Sequence, residues 1–126
     1  VGYKLYRQIR DYAPQDWTSG ELVVALMIAD AAGEDTLRAY IDSDELYRRC
    51  RMTDSGVRKN LQKLAEKGFE FRVVIAEDKH GNALYGIPGK RAEYQVPGIF
   101  TRLARGAAVA YGLVDKLAEG GTAGPP

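Results

Sequence analysis

Apolar positions recur at helical spacing through the first half of this 126-residue chain, then shift to a tighter, β-like pattern after Gly68. At the start, Leu5, Tyr6, Ile9 and Tyr12 interleave with Lys4, Arg7 and Arg10, which predicts a short amphipathic segment ended by Pro14. It can pack across the domain, or its tyrosines and cations can line a nucleic acid or a partner. Thr18 and Glu21 then stand three apart as a capping box, with Trp17 and Leu22 flanking them as a hydrophobic staple. They predict a helix from Thr18 to about Ala32, with Leu22, Leu26 and Ala29 facing the core, Trp17 structural and Gly33 supplying the stop.

Residues 33–41 read as a polar connection. The start signal repeats at Asp42 and Glu45, with Ile41 and Leu46 placed to staple, and predicts a short helix over Ser43–Cys50. Arg51 and Met52 make a turn, and Thr53 has the chemistry to cap a third helix that runs to Lys67 and stops at Gly68. The aromatic and β-branched run Phe69–Ala76 predicts a strand, and Lys79, His80, Gly81 and Asn82 a turn. An irregular arm, Leu84–Gly89, leads to a returning strand over Arg91–Val96 that Pro97 ends. Last, Phe100, Leu103, Ala107, Tyr111, Val114 and Leu117 define an amphipathic helix over 100–119, in which Gly106 and Gly112 each cost about 1 kcal/mol relative to alanine. Its apolar stripe needs a surface, either its own domain or a second subunit in a homodimer. Residues 120–126 read as a flexible tail.

The expected fold is therefore α+β and mainly helical: a helix-turn-helix, a β-hairpin wing and an additional C-terminal helix. Residues 1–97 form the expected domain, 98–119 the extra helix. Composition fits one globular domain, with 45% apolar and 28% charged residues. The longest apolar run, Leu22–Ala29, falls far short of the roughly 20 residues a membrane span needs, so no membrane partner is expected. No export signal stands out. The single cysteine forms no intrachain disulfide, which fits a reducing cytoplasm.

A formal net charge of +1 conceals a division. Between Ala13 and Leu46 lie Asp16, Glu21, Asp30, Glu34, Asp35, Asp42, Asp44 and Glu45 against Arg38 alone. Between Tyr47 and Arg72 lie Arg48, Arg49, Arg51, Arg58, Lys59, Lys63, Lys67 and Arg72 against Asp54, Glu66 and Glu70. Such segregation suggests a face directed at a polyanion.

At about 100° per residue, Val57, Leu61 and Leu64 form one stripe of the third helix, and Ser55, Lys59, Gln62 and Glu66 lie opposite, flanked by Arg58 and Lys63. Arginine and lysine address guanine edges, glutamine addresses adenine, and a small hydroxyl approaches edges or phosphates. Ser55, Arg58 and Lys59 would enter a major groove first. Arg48, Arg49 and Arg51, with Thr53 in the turn, are placed beside the phosphates crossing that groove, and Lys79 and His80 could reach an adjacent minor groove or backbone. Gly56 suggests close approach, to the preceding helix or to DNA.

The run LYRRCRMTDSGVRKNLQKLAEKGFEF resembles the winged helix-turn-helix families of bacterial, plasmid and phage DNA-binding proteins. The arm LYGIPGKRAEYQVP and the opening YRQIRDYAPQDWTSGELVVALMIADAA look like helix-turn-helix proteins of actinomycete chromosomes and mobile elements. The resemblance covers roughly Tyr3–Pro97. Leu46, Met52, Val57, Leu61, Leu64 and Gly68 match its pattern; Tyr47 replaces a small residue and Arg51 a glycine, so Arg51 must accept an uncommon backbone conformation. The resemblance implies binding to double-stranded DNA in the bacterial cytoplasm, on nucleoid or plasmid. It leaves open transcription regulation, plasmid or phage replication initiation, and partition. A winged helix used as a protein-interaction module, with the acidic stretch 34–45 as its contact, is the alternative of another class.

Enzyme chemistry is not expected. One His and one Cys cannot supply four zinc ligands, GIPGK over 86–90 lacks the spacing of a phosphate loop, and no nucleophile stands beside a base. No cofactor is expected.

Overall fold

A computed structural model describes residues 3–85 and 92–110, with side chains described as far as residue 106. The described part is α+β and mainly helical, with five helices and two small antiparallel sheets. Helix α1 (Tyr3–Tyr12) buries Leu5, Gln8 and Ile9 and leaves Lys4, Arg7 and Arg10 outside. It packs across α2 and the last of the described helices, α5 (Ile99–Ala110), where Gln8 Oε1 accepts from Thr101 Oγ1 at 3.2 Å.

Helix α2 (Ser19–Ala31) starts on the expected capping box: Glu21 N–H donates to Thr18 Oγ1, and Thr18 N–H donates to Glu21 Oε1 at 2.8 Å. Its buried surface is wider than the sequence stripe suggested. Val24, Ala25, Leu26, Ile28 and Ala29 are all buried, and Leu22 is only half-buried. A helix with neighbours on several sides carries apolar residues nearly all round, and α2 touches α1, α3 (Ser43–Cys50) and α4 (Asp54–Glu66). The stop also differs. Extended Ala32 caps the helix, and Gly33 serves for room, since a Cβ there would lie 2.8 Å from Thr36 Oγ1.

The expected polar connection contains a strand, β1 (Arg38–Ile41), with Ala39 and Ile41 buried and Tyr40 exposed. It pairs antiparallel with β4 (Ala92–Gln95), Ala39 opposite Tyr94. Four residues are too few for alternation to stand out beside the charged turn before them. The returning strand thus exists, but its main partner is β1. The expected strand over 69–76 is largely extended chain; only Ala76–Glu77 forms a strand, β2, pairing with β3 (Ala83–Leu84). Local bonds explain the interruption. Glu70 accepts from the Arg72 backbone N–H at 3.0 Å and from its guanidinium at 2.9 Å, taking the donor a ladder would use. One bridge, Arg72 with Tyr94, and the bond from Gln95 N–H to Phe71 O hold this segment beside β4.

The core gathers around Trp17. Its ring meets Phe69 edge-on at 5.1 Å and Phe100 at 5.7 Å, while Phe69 stacks on Phe100 at 5.6 Å. Phe100, expected in the apolar stripe available to a dimer, is instead fully buried in its own subunit's core. Leu103, one turn on, is 42% exposed. The expectations for Ala107, Tyr111, Val114, Leu117, the tail, and most of the arm with GIPGK fall outside the described side chains. Among the described residues no helix is long and apolar enough to cross a membrane.

Candidate nucleic-acid interface

Helix α3 begins at Asp42 in extended backbone, but the expected capping box is absent: Asp42 makes no side-chain cap bond, and Glu45 points to arginines instead. Leu46 and Cys50 face the core. Burial pushes the Cys50 thiol up to about 11, so it stays protonated and unreactive at neutral pH. Arg51 ends the helix in the left-handed region (φ 59°, ψ 39°), as its place at a glycine-type position requires. Its N–H donates to Arg48 O and Met52 N–H donates to Tyr47 O, each at 3.1 Å.

Helix α4 follows at once. Thr53 Oγ1 accepts from Gly56 N–H at 3.1 Å, so this hydroxyl is committed to the cap. A Cβ on Gly56 would lie 3.2 Å from Thr53 Oγ1, so the glycine serves close approach to the turn before α4. Val57, Leu61 and Leu64 are buried, and half-buried Asn60 donates to Gly56 O at 3.0 Å. The helix closes through Lys67 to Gly68 at φ 96°.

The burial of that stripe fixes what the other face shows. Ser55, Arg58, Lys59, Gln62 and Lys63 are all exposed, as are Arg48, Arg49, Arg51 and Thr53 on the preceding helix and turn. Lys79 and His80 are exposed on a separate element, the β2–β3 turn. That turn is built on Asp78, whose Oδ1 accepts from His80 N–H at 2.8 Å and Asn82 N–H at 2.9 Å. Bonds from Asn82 hold the Asp78 carboxyl below its usual range.

The cations differ in what already holds them. Glu45 takes both Arg48 and Arg49, the latter at 2.9 Å, and Asp54 takes Arg58 at 2.6 Å. Gln62 Nε2 donates to Glu66 at 3.4 Å, and Ser55 Oγ lies 3.3 Å from Thr53 Oγ1. Among the described residues Arg51, Lys59, Lys63 and Lys79 form no ion pair. Lys67, counted with the basic stretch in sequence, faces the other way: its Nζ lies 2.7 Å from Glu21 Oε1 and 2.8 Å from Asp16 O. The acidic and basic stretches therefore touch in space at Glu21–Lys67. Sequence reads Glu21 only as a capping residue and does not single out Asn60 or Asp54; for Asp54 the available signal is its four-residue spacing from Arg58.

Arg51 offers a direct test of whether its side chain or its backbone matters. Arg51→Gly should raise stability by about 1 kcal/mol, because glycine adopts this conformation without a Cβ clash. Denaturant melts of parent and variant measure it; an unchanged or lower midpoint would contradict the strain.

Among the described residues no group of three or more His, Cys, Asp or Glu could hold a metal ion. No family model, curated protein or solved structure matches the chain.

Proposed function

We propose that this chain binds double-stranded DNA sequence-specifically, as a winged helix-turn-helix transcription regulator with α4 as its recognition helix. The observation that carries this is the two-sidedness of α4: Val57, Leu61 and Leu64 are buried, and five side chains suited to base edges and phosphates stand exposed on and beside the opposite face. Further support comes from the order of helix, strand, helix, turn, helix, hairpin and strand, with β1 and β4 paired beside the helical pair. The exposed cations of α3 and the turn flank α4, and the β2–β3 turn adds Lys79 and His80. Phosphate contacts from these cations supply affinity, and Ser55, Arg58, Lys59 and Gln62 supply base discrimination.

Titration of a random-sequence duplex at several salt concentrations tests the proposal. With about six phosphate contacts, affinity should fall roughly a thousandfold between about 50 and 200 mM salt. Absence of binding at the lowest salt would reject a DNA-binding role.

A further inference from the structure

The hairpin that carries Lys79 and His80 is short. Among the described residues its strands, β2 and β3, hold two residues each and pair only with one another. A two-stranded hairpin of this size is marginal in isolation, so its direction is set where its arms leave the domain. The tip is fixed by the Asp78 carboxylate, which takes the backbone N–H groups of His80 and Asn82 and, at 3.1 Å, the Asn82 side chain.

At the root stands Arg72, whose backbone bridges to Tyr94 on β4. Its Nε and Nη2 each donate to the Glu70 carboxylate at 2.9 Å. Glu70 is itself tied to β4, because its carbonyl accepts from Gln95 Nε2 at 3.1 Å. The guanidinium carbon lies 4.3 Å from the centre of the Tyr85 ring, and Tyr85 directly follows β3. One side chain therefore meets both the arm that enters the hairpin and the arm that leaves it. The contacts are compatible because a guanidinium donates in its plane and stacks through its face; lysine supplies the charge but neither the fork nor the stacking face. Arg72 keeps only 20% of its side chain exposed, so the stack is partly desolvated, where such contacts are worth more. By sequence Arg72 belongs to the basic stretch, yet two of its donors are spent on Glu70 and its face on Tyr85.

Resting on the duplex-binding function proposed above, we infer that Arg72 is a positioning residue for the wing: held by Glu70 and Tyr85, it fixes the direction in which Lys79 reaches a phosphate beside the site of α4. The link is entropic. A wing held at its root meets the duplex already ordered. A loosened one must be ordered on binding, and that cost offsets the single contact it gains.

A double-mutant cycle on a random-sequence duplex tests this, with Lys79→Ala introduced into the parent, Arg72→Lys, Tyr85→Leu and Tyr85→Phe. In the parent, Lys79→Ala should weaken binding about eightfold near 0.1 M salt and make the slope of log K against log salt shallower by about 0.9, the value for one phosphate. In Arg72→Lys and in Tyr85→Leu the same change should cost about twofold or less, a coupling of about fourfold, and leave the salt slope nearly unaltered. Tyr85→Phe keeps the ring face and should retain the parent's response to Lys79→Ala. A general loss of stability would lower affinity in a given background but leave the Lys79→Ala ratio and slope change at the parent's values, so the coupling separates positioning from folding. Tyr85 is half-buried, so Tyr85→Leu keeps the test decisive where Arg72→Lys folds poorly. A Lys79→Ala effect of equal size in parent, Arg72→Lys and Tyr85→Leu overturns the inference while duplex binding stands. So does a parent in which Lys79→Ala changes neither affinity nor slope. A parent that binds no duplex removes the proposed function and the inference together.

Discussion

Lys67→Ala should lower stability at neutral pH by about 3 kcal/mol, the low end of the range for breaking a buried ion pair. Glu21 is fully buried, and Lys67 keeps part of its side chain in water, which is why the low end applies. The charge of Glu21 depends on few partners. Oε1 accepts from Lys67 Nζ and Thr18 N–H, while Oε2 is buried with no hydrogen bond among the described residues. Burial pulls the Glu21 carboxyl upward, but the Lys67 and Thr18 bonds more than offset it, so the carboxyl sits below its ordinary value. A depressed carboxyl stabilises the fold above its unfolded pKa, and that stabilisation is lost as pH falls through the folded value. Without Lys67 burial dominates and the carboxyl rises, so the variant's fold favours protonated Glu21. The stability gap between parent and Lys67→Ala should therefore narrow as pH drops from neutral towards about 4, the ordinary carboxylate range. Urea melts at both pH values measure it; a gap that is constant or widens on acidification would show that the pair does not hold the Glu21 charge.

The same pair holds one of the two ends of α4. Its start is capped by Thr53 and touches the preceding turn where Asn60 Nδ2 lies 3.4 Å from Met52 Sδ, and its end is tied to the first turn of α2 by Lys67. The buried stripe between them sets rotation about the helix axis. An exposed face on a helix so fixed keeps its side chains in one register, which recognition of a groove demands.

How much of this was legible in the sequence follows from the range of each signal. Caps and periodicity act within a few residues, and the helices that depend on them lie where the sequence placed them: Thr18 with Glu21, Thr53, Gly68 and the Leu61–Leu64 stripe all act locally. Asp42 was read by the same rule and differs, because Glu45 finds two arginines within one turn and leaves the cap. Strand β1 was missed because its identity comes from β4, more than 50 residues on. The aromatic run after Gly68 looked like a strand, yet Phe69 and Phe71 turn to Trp17 and Glu70 takes the Arg72 N–H. Phe100 was placed in a stripe, but which surface buries it depends on Trp17 and Phe69, far away in sequence. For the candidate interface, the composition of the α4 face was visible from spacing alone. The division between ion-paired and unpaired cations was legible only in part: Glu45 and Asp54 stand three or four residues from their arginines, but rotamers that spacing leaves open decide whether the pairs form.

That division carries the largest expected effect on binding. A variant combining Arg51→Gly, Lys59→Ala and Lys63→Ala removes three exposed cations that have no ion pair among the described residues. Each releases a counterion on meeting a phosphate without first giving up a carboxylate, unlike Arg48 and Arg49, which share Glu45. With one phosphate lost per cation, the slope of log K against log salt should become shallower by about 2.7, and affinity near 0.1 M salt should drop by two to three orders of magnitude, roughly five-hundred-fold. The fold should not suffer. Alanine suits exposed helix positions, and glycine suits the left-handed backbone at position 51. A melting temperature at or above the parent's, together with the weakened and less salt-sensitive binding, assigns the loss to phosphate contacts. An unchanged salt slope in this well-folded variant would place the DNA-facing surface elsewhere on the molecule.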